Sequence, residues 1–111
     1  LLLASLAANA YLWTKQAKLY SVISSERKEL YELAEKKITE PAIVFIRGHL
    51  GKTLILTEED AVRNKPNFQN KIIYAHDLKV RNQELIKFYP NRRPFLGYYD
   101  RENGKAILES L

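Results

Sequence analysis

The chain has 111 residues, 46% hydrophobic and 28% charged, with a formal charge of +5 from 18 Lys and Arg against 13 Asp and Glu, and no cysteine. That length sets one domain with a modest core. The lack of Cys excludes disulfides, thiolate catalysis and cysteine-ligated zinc, and the even spread of basic residues describes a solvated surface and not a nucleic-acid-binding stripe.

Residues 1–13, LLLASLAANAYLW, are apolar apart from Ser5 and Asn9, and Lys15 and Lys18 follow. A helix of that length rises about 20 Å, short of the roughly 30 Å hydrocarbon core of a bilayer. Tyr11 and Trp13 ahead of lysines nonetheless match the way a spanning helix meets the membrane interface. The expectation is the last turns of a transmembrane helix that begins upstream. Two other accounts stay open: a signal-peptide core with Ala8-Asn9-Ala10 as its small-x-small site, and an amphipathic helix buried in a soluble domain.

Neither Gly nor Pro occurs from Leu1 to Glu40. Ser21, Ser24 and Ser25 predict a joint, which divides the chain into a membrane-proximal helix over 1–20 and a small soluble α/β domain over 25–111. Ser25 is the expected N-cap of a second helix. Leu30, Leu33, Ala34 and Ile38 form its apolar face, and Pro41 stops it.

AIVFIR (42–47) is a continuous apolar run rich in β-branched residues, the pattern of a strand covered on both faces. GHLGK turns the chain, TLILT (53–57) suggests a short strand, and Thr57 offers a cap for a helical turn through EEDAV. RNKPNFQN is a loop by its Asn and Pro content. KIIYAH (71–76) is a further apolar strand. Residues 77–89 are expected to be helical, with Leu78, Leu85, Ile86 and Tyr89 on one face, and Pro90 ends them. RPFLGYYD (93–100) and KAILES (105–110) are strands, with Asn103-Gly104 suited to a two-residue hairpin loop. The fold class is therefore α/β: a small sandwich with a mixed sheet of four or five strands. It contains a βαβ unit made from 71–76, the helix and 94–99.

The chemistry-bearing patterns are few. GHLGKT lacks P-loop spacing, since Ile46 stands where the first glycine belongs, and it precedes a strand-like segment. His49 and His76 have no partners at metal-ligand spacing, so no metal or other cofactor is expected. Adjacent residues on a strand point to opposite faces, which argues against a His76–Asp77 catalytic pair. Asp77 is placed to cap the helix that follows, by accepting an N–H from its second or third residue. Because α/β ligands bind at the C-terminal ends of parallel strands, His76, Asp77 and Asn82 are the candidate ligand contacts. Arg92 and Arg93 among Tyr89, Tyr98 and Tyr99 raise a stacking surface, although strand alternation predicts the same pattern with the aromatics in the core.

Read together, several of these segments resemble one family. The strand at 42–46, Asn64 and Pro66 in the loop, IIYAHDL (72–78), Asn82 and Leu85, and FYPNR (88–92) with the aromatics to 99 resemble the C-terminal extracytoplasmic domain of bacterial polytopic membrane glycosyltransferases. These are of the dolichyl-phosphate-mannose–protein mannosyltransferase type, in the GT-C superfamily. The family pattern has Tyr-Ala-x-Asp-Leu, a Gly, then Asn and Leu in a helix, then Tyr-Pro-x-Arg. This chain has Lys79 where that Gly lies.

The resemblance implies a parent enzyme that transfers sugar from a lipid-phosphate-linked donor, with its catalytic carboxylates in the first extracytoplasmic loop of the membrane part. No residue here is given a catalytic role on that ground. It further implies that this domain shapes the acceptor side or stabilises the membrane part, on the extracytoplasmic face of the cell membrane. The expected partners are the membrane part of the same polypeptide, the membrane surface, and a lipid-linked sugar or acceptor. Lys15 and Lys18 taken alone favour a cytoplasmic exit. The alternative reading is a membrane-anchored or secreted α/β module that binds a sugar or phosphate.

Overall fold

The computed structural model describes residues 1–48 and 63–111. His49, the strand expected at 53–57, the Thr57-capped turn and most of GHLGKT lie outside them.

Strand β1 (Ala42–Ile46) is the centre of the fold. All five of its residues are buried, as its unbroken apolar run requires of a strand covered on both sides. Its neighbours are β2 (Ile72–His76) on one side and β3 (Arg93–Asp100) on the other, both parallel to it. The last strand, β4 (Lys105–Ser110), pairs antiparallel with β3. The sheet is thus mixed and four-stranded among the described residues, in the order β2-β1-β3-β4. The β2–helix–β3 crossover is present with parallel strands, but β1 lies between them.

Pleating divides the core. Ala42, Val44 and Ile46 face helix α1 (Leu2–Lys37), together with Ile72 and Tyr74. Ile43, Phe45, Ile73 and Leu96 face helix α2 (Asn82–Phe88) through Leu85, Ile86 and Tyr89. Helices therefore cover both faces of the sheet. On the α1 side, Leu30, Tyr31, Ala34 and Ile38 are buried, while Leu33 is half-buried, so Tyr31 takes part of the role expected of Leu33. At Gly97 an added Cβ would lie 3.1 Å from Leu30 Cδ1 and 3.2 Å from Val44 Cγ1. The helix can approach β3 this closely because that residue has no side chain.

Three expectations are corrected. First, α1 is a single helix of 36 residues running straight through Ser21, Ser24 and Ser25. Serine costs a helix interior only a few tenths of a kcal/mol, and with no Gly or Pro before Pro41 nothing breaks the run. Ser25 is consequently an interior residue, and there is no joint. Second, residues 77–89 are not one helix: a 3₁₀ turn (Lys79–Arg81) precedes the short α2. Leu78 is left 56% exposed instead of joining the apolar face. Third, the hairpin loop has four residues, since Asp100 pairs with Lys105. Asp100 fixes it by accepting from the Glu102 and Asn103 N–H groups and from Asn103 Nδ2, and Gly104 sits at φ +63°.

Helix α1 runs antiparallel to the three parallel strands. Glu26 lies beside Arg101 just past the end of β3, Leu30 beside Gly97 in its middle, and the chain then enters the start of β1. Every residue from Leu1 to Lys18 is exposed. This half of α1 extends beyond the sheet on the side of the strands' C-terminal ends, which makes the molecule 62 Å long but only 31 by 24 Å across. Among the described residues, no helix is long and apolar enough to cross a membrane.

Candidate functional site

The C-terminal ends of β1 and β2 bring Arg47, His76, Asp77 and Asn82 together. The backbone sets the arrangement: the Asp77 N–H donates to Ile46 O at 3.0 Å, which extends the β1–β2 ladder by one residue. The chain then leaves the sheet through Lys79, whose φ of +55° is left-handed.

Asp77 sits at the middle of the cluster. Its Oδ1 accepts from the Lys79 N–H at 3.0 Å and from Asn82 Nδ2 at 2.7 Å. Its Oδ2 accepts from Arg47 Nε at 3.3 Å. Asn82 uses its other end to accept the Leu78 N–H at 2.8 Å. The Asp77–Lys79 bond spans two residues, the geometry of an Asx-turn, and it starts the 3₁₀ turn. The Asp77 side chain is only 4% exposed. Burial by itself raises its pKa. The hydrogen bonds from Asn82, the Lys79 N–H and Arg47, with the Arg47 charge, outweigh that and hold it below the ordinary carboxylate value. An ionised carboxylate with both oxygens engaged is a weak general base. Its work here is to fix the β2-to-α2 turn.

His76 is half-buried and lines a pocket of about 410 Å³ beside α2, whose walls include Phe45, Leu78, Leu85 and Phe88. Asn82 and Arg81 also reach this pocket. Among the described residues, no group of three or more His, Asp or Glu is placed to hold a metal ion.

The remaining residues of interest act within the chain. Arg92 lies under the opposite end of the sheet. Its Nη1 donates to Lys71 O at 3.0 Å and Ala42 O at 3.4 Å, and its Nη2 to Phe68 O at 3.3 Å. Its guanidinium also stands 5.8 Å from the Tyr89 ring centroid, and Arg93 stands 5.3 Å from that of Phe95. The basic–aromatic interleaving is therefore at least partly internal packing. Tyr98 lies with the core on the α2 face. Asn64 holds the backbone of Tyr74 at the outer edge of β2. Arg63 lies 4.0 Å over the Tyr31 ring and 3.4 Å from Glu35.

Sequence reading alone misses Arg47 as the partner of Asp77. The only available signal is that it closes the central strand. Asn64 and Arg92 were legible as loop and turn residues, but their contacts are not.

No protein-family model, no curated protein and no solved structure matches the chain.

Proposed function

We propose that the chain is a non-catalytic domain of a membrane glycosyltransferase that takes sugar from a lipid-phosphate-linked donor, and that it shapes the acceptor side or stabilises the membrane part. The observation that carries the reading is the continuity of α1. A segment that is apolar apart from Ser5 and Asn9, and exposed over its whole length, continues without a break into the helix that builds the core. A helix with so little polar surface belongs inside protein or lipid, so whatever receives residues 1–13 holds the domain in a fixed orientation.

Two further points agree with the resemblance. The position where the family pattern has Gly, Lys79, has left-handed backbone at φ +55°, where Gly is the least strained residue. The other marker residues, Asn64, Asp77, Asn82 and Arg92, all bond to groups within the domain, as expected of a domain without chemistry of its own. The reading frame upstream of Leu1 tests the proposal. About eight or more further segments of roughly 20 apolar residues each are expected; fewer would sink it.

The pocket beside His76 favours a second reading, a module that binds a sugar or phosphate. Titration of the chain with glycans and with a polyprenyl-phosphate headgroup decides it. Saturable binding that weakens on His76→Ala supports this reading, and no binding removes it.

A further inference from the structure

A cleft of about 780 Å³ lies between the projecting half of α1 and the β3–β4 hairpin. Leu12, Val22 and Tyr99 supply apolar wall, and Lys15, Lys18 and Arg101 bring three cations to it. Among the described residues Glu26 is the one carboxylate in its lining, and it is already paired with Arg101 at 3.2 Å. The cleft thus carries a net positive charge beside an apolar surface, directly below the largely apolar segment 1–13.

We propose that this cleft is where the domain docks on the bilayer surface, with Lys15, Lys18 and Arg101 contacting the phosphates of anionic phospholipids. The inference rests on the reading that residues 1–13 enter a membrane, and it adds which face of the domain then meets the lipid. Helix geometry supports the depth. Lys15 and Lys18 lie about 3 and 8 Å along the axis from Trp13, while the headgroup layer is roughly 5–8 Å thick on each side. With Trp13 at the hydrocarbon boundary, where indole rings collect, both ammonium groups fall among the headgroups. The hairpin is tied to α1 through Arg101 and Glu26, about 20 Å along the axis from Trp13, so it is a tilt of α1 toward the hairpin side, within the range that spanning helices adopt, that brings Arg101 down to the phosphates. Juxtamembrane cations of this kind are attracted to anionic lipid.

The chain carries a single Trp and no Cys, so two positions can be read independently. The full chain is reconstituted into vesicles of phosphatidylcholine, alone or with one-third phosphatidylglycerol. It carries an environment-sensitive fluorophore on Glu102→Cys in the exposed hairpin loop, or on Gln83→Cys on the α2 side as a reference. Expected is a blue-shifted Trp13 in both vesicle types. A blue shift at position 102 is expected only with the anionic lipid, and none at position 83. Lys15→Gln with Lys18→Gln should leave the Trp13 signal in place and move the docking equilibrium of the hairpin by about fivefold per lysine.

If Trp13 inserts while position 102 stays in water, the docking inference is overturned and the membrane reading stands. If Trp13 also stays in water, both fall. A shift at position 102 without vesicles, together with a dimer in sedimentation, would assign the cleft to a second copy of the chain and overturn the inference.

Discussion

Asn64 satisfies both backbone polar groups of Tyr74 with one side chain: its Nδ2 donates to Tyr74 O at 2.8 Å, and its Oδ1 accepts the Tyr74 N–H at 2.8 Å. Among the described residues β2 is the outer strand of the sheet, and an edge strand presents unpaired groups that invite pairing with other chains. The amide of Asn64 stands in for a neighbouring strand at that point. Asn64→Ala should cost about 1–3 kcal/mol, because it strands a part-buried donor and acceptor together. Asn64→Asp should cost at least as much, since a carboxylate cannot donate and would face the Tyr74 carbonyl. Urea unfolding followed by circular dichroism measures both, and light scattering should show increased self-association in the Ala variant.

The Asp77 cluster gives the domain an acid-sensitive joint. Its pKa is lowered in the fold from the ordinary value of 3.8. A lowered carboxylate pKa contributes stability that is fully present above the unfolded-state value and is lost as pH falls through the folded-state value. The loss attributable to Asp77 should therefore begin near pH 4 and grow below it, with no change between pH 6 and 8. Asp100 is also lowered, chiefly by Asn103, and titrates in the same range, so the Asp77 share is the difference between the wild type and Asp77→Asn. That variant should be less stable at neutral pH, having lost the charge-assisted bond from Arg47, and the gap should narrow in acid. A gap that is constant with pH would refute the assignment.

Lys79 is a lysine in a conformation that glycine adopts freely. At φ +55° an L-residue carries a strain of about 1–2 kcal/mol, which Gly avoids at the cost of some extra freedom in the unfolded chain. Lys79→Gly should raise stability by about 0.5–1 kcal/mol. Lys79→Val should lower it by more than that, since a β-branched residue fits the left-handed region worst. Its side chain is exposed, so loss of packing does not confuse the comparison. The order Gly, then Lys, then Val in urea midpoints is the expected result.

The sequence and the structure agree where a single local pattern settles the matter. AIVFI reads as a strand covered on both faces because no polar residue interrupts it, and that is what places β1 at the centre. Asp77 reads as the cap of the next helix because its type and position are local, but its carboxylate closes an Asx-turn onto the Lys79 N–H instead, and the 3₁₀ turn and α2 have Leu78 and Arg81 at their N-caps, neither with a side-chain cap bond. The departures arise where tertiary contacts decide. The three serines look like a joint only if nothing spans them. In fact Glu26 is tied to Arg101 and Leu30 packs at Gly97, so the helix is anchored immediately after them. Leu78 matches the helical period of Leu85, but the left-handed residue beside it turns its side chain outward. The links from Asn64 to Tyr74 and from Arg47 to Asp77 cross 10 and 30 residues, a separation no local pattern encodes.

The unbroken α1 leads to the most direct physical test of the fold. In a continuous α-helix, residues 14 and 36 are separated by about 33 Å along the axis. Thr14 and Lys36 are both exposed, and the chain has no native Cys to compete for label. Spin labels on Thr14→Cys and Lys36→Cys should therefore give one narrow distance distribution near that separation, widened only by the label arms. A hinge at Ser21–Ser25 would give shorter and broader distances. Ser24→Pro supplies the comparison: proline in a helix interior removes a hydrogen bond and clashes with the preceding turn, at a cost of about 3 kcal/mol, and should broaden the distribution by kinking the helix. If the unmodified backbone already gives the broad distribution, the helix is jointed. The orientation that α1 would impose on the domain at a membrane is then lost, and the docking of the hairpin cleft with it.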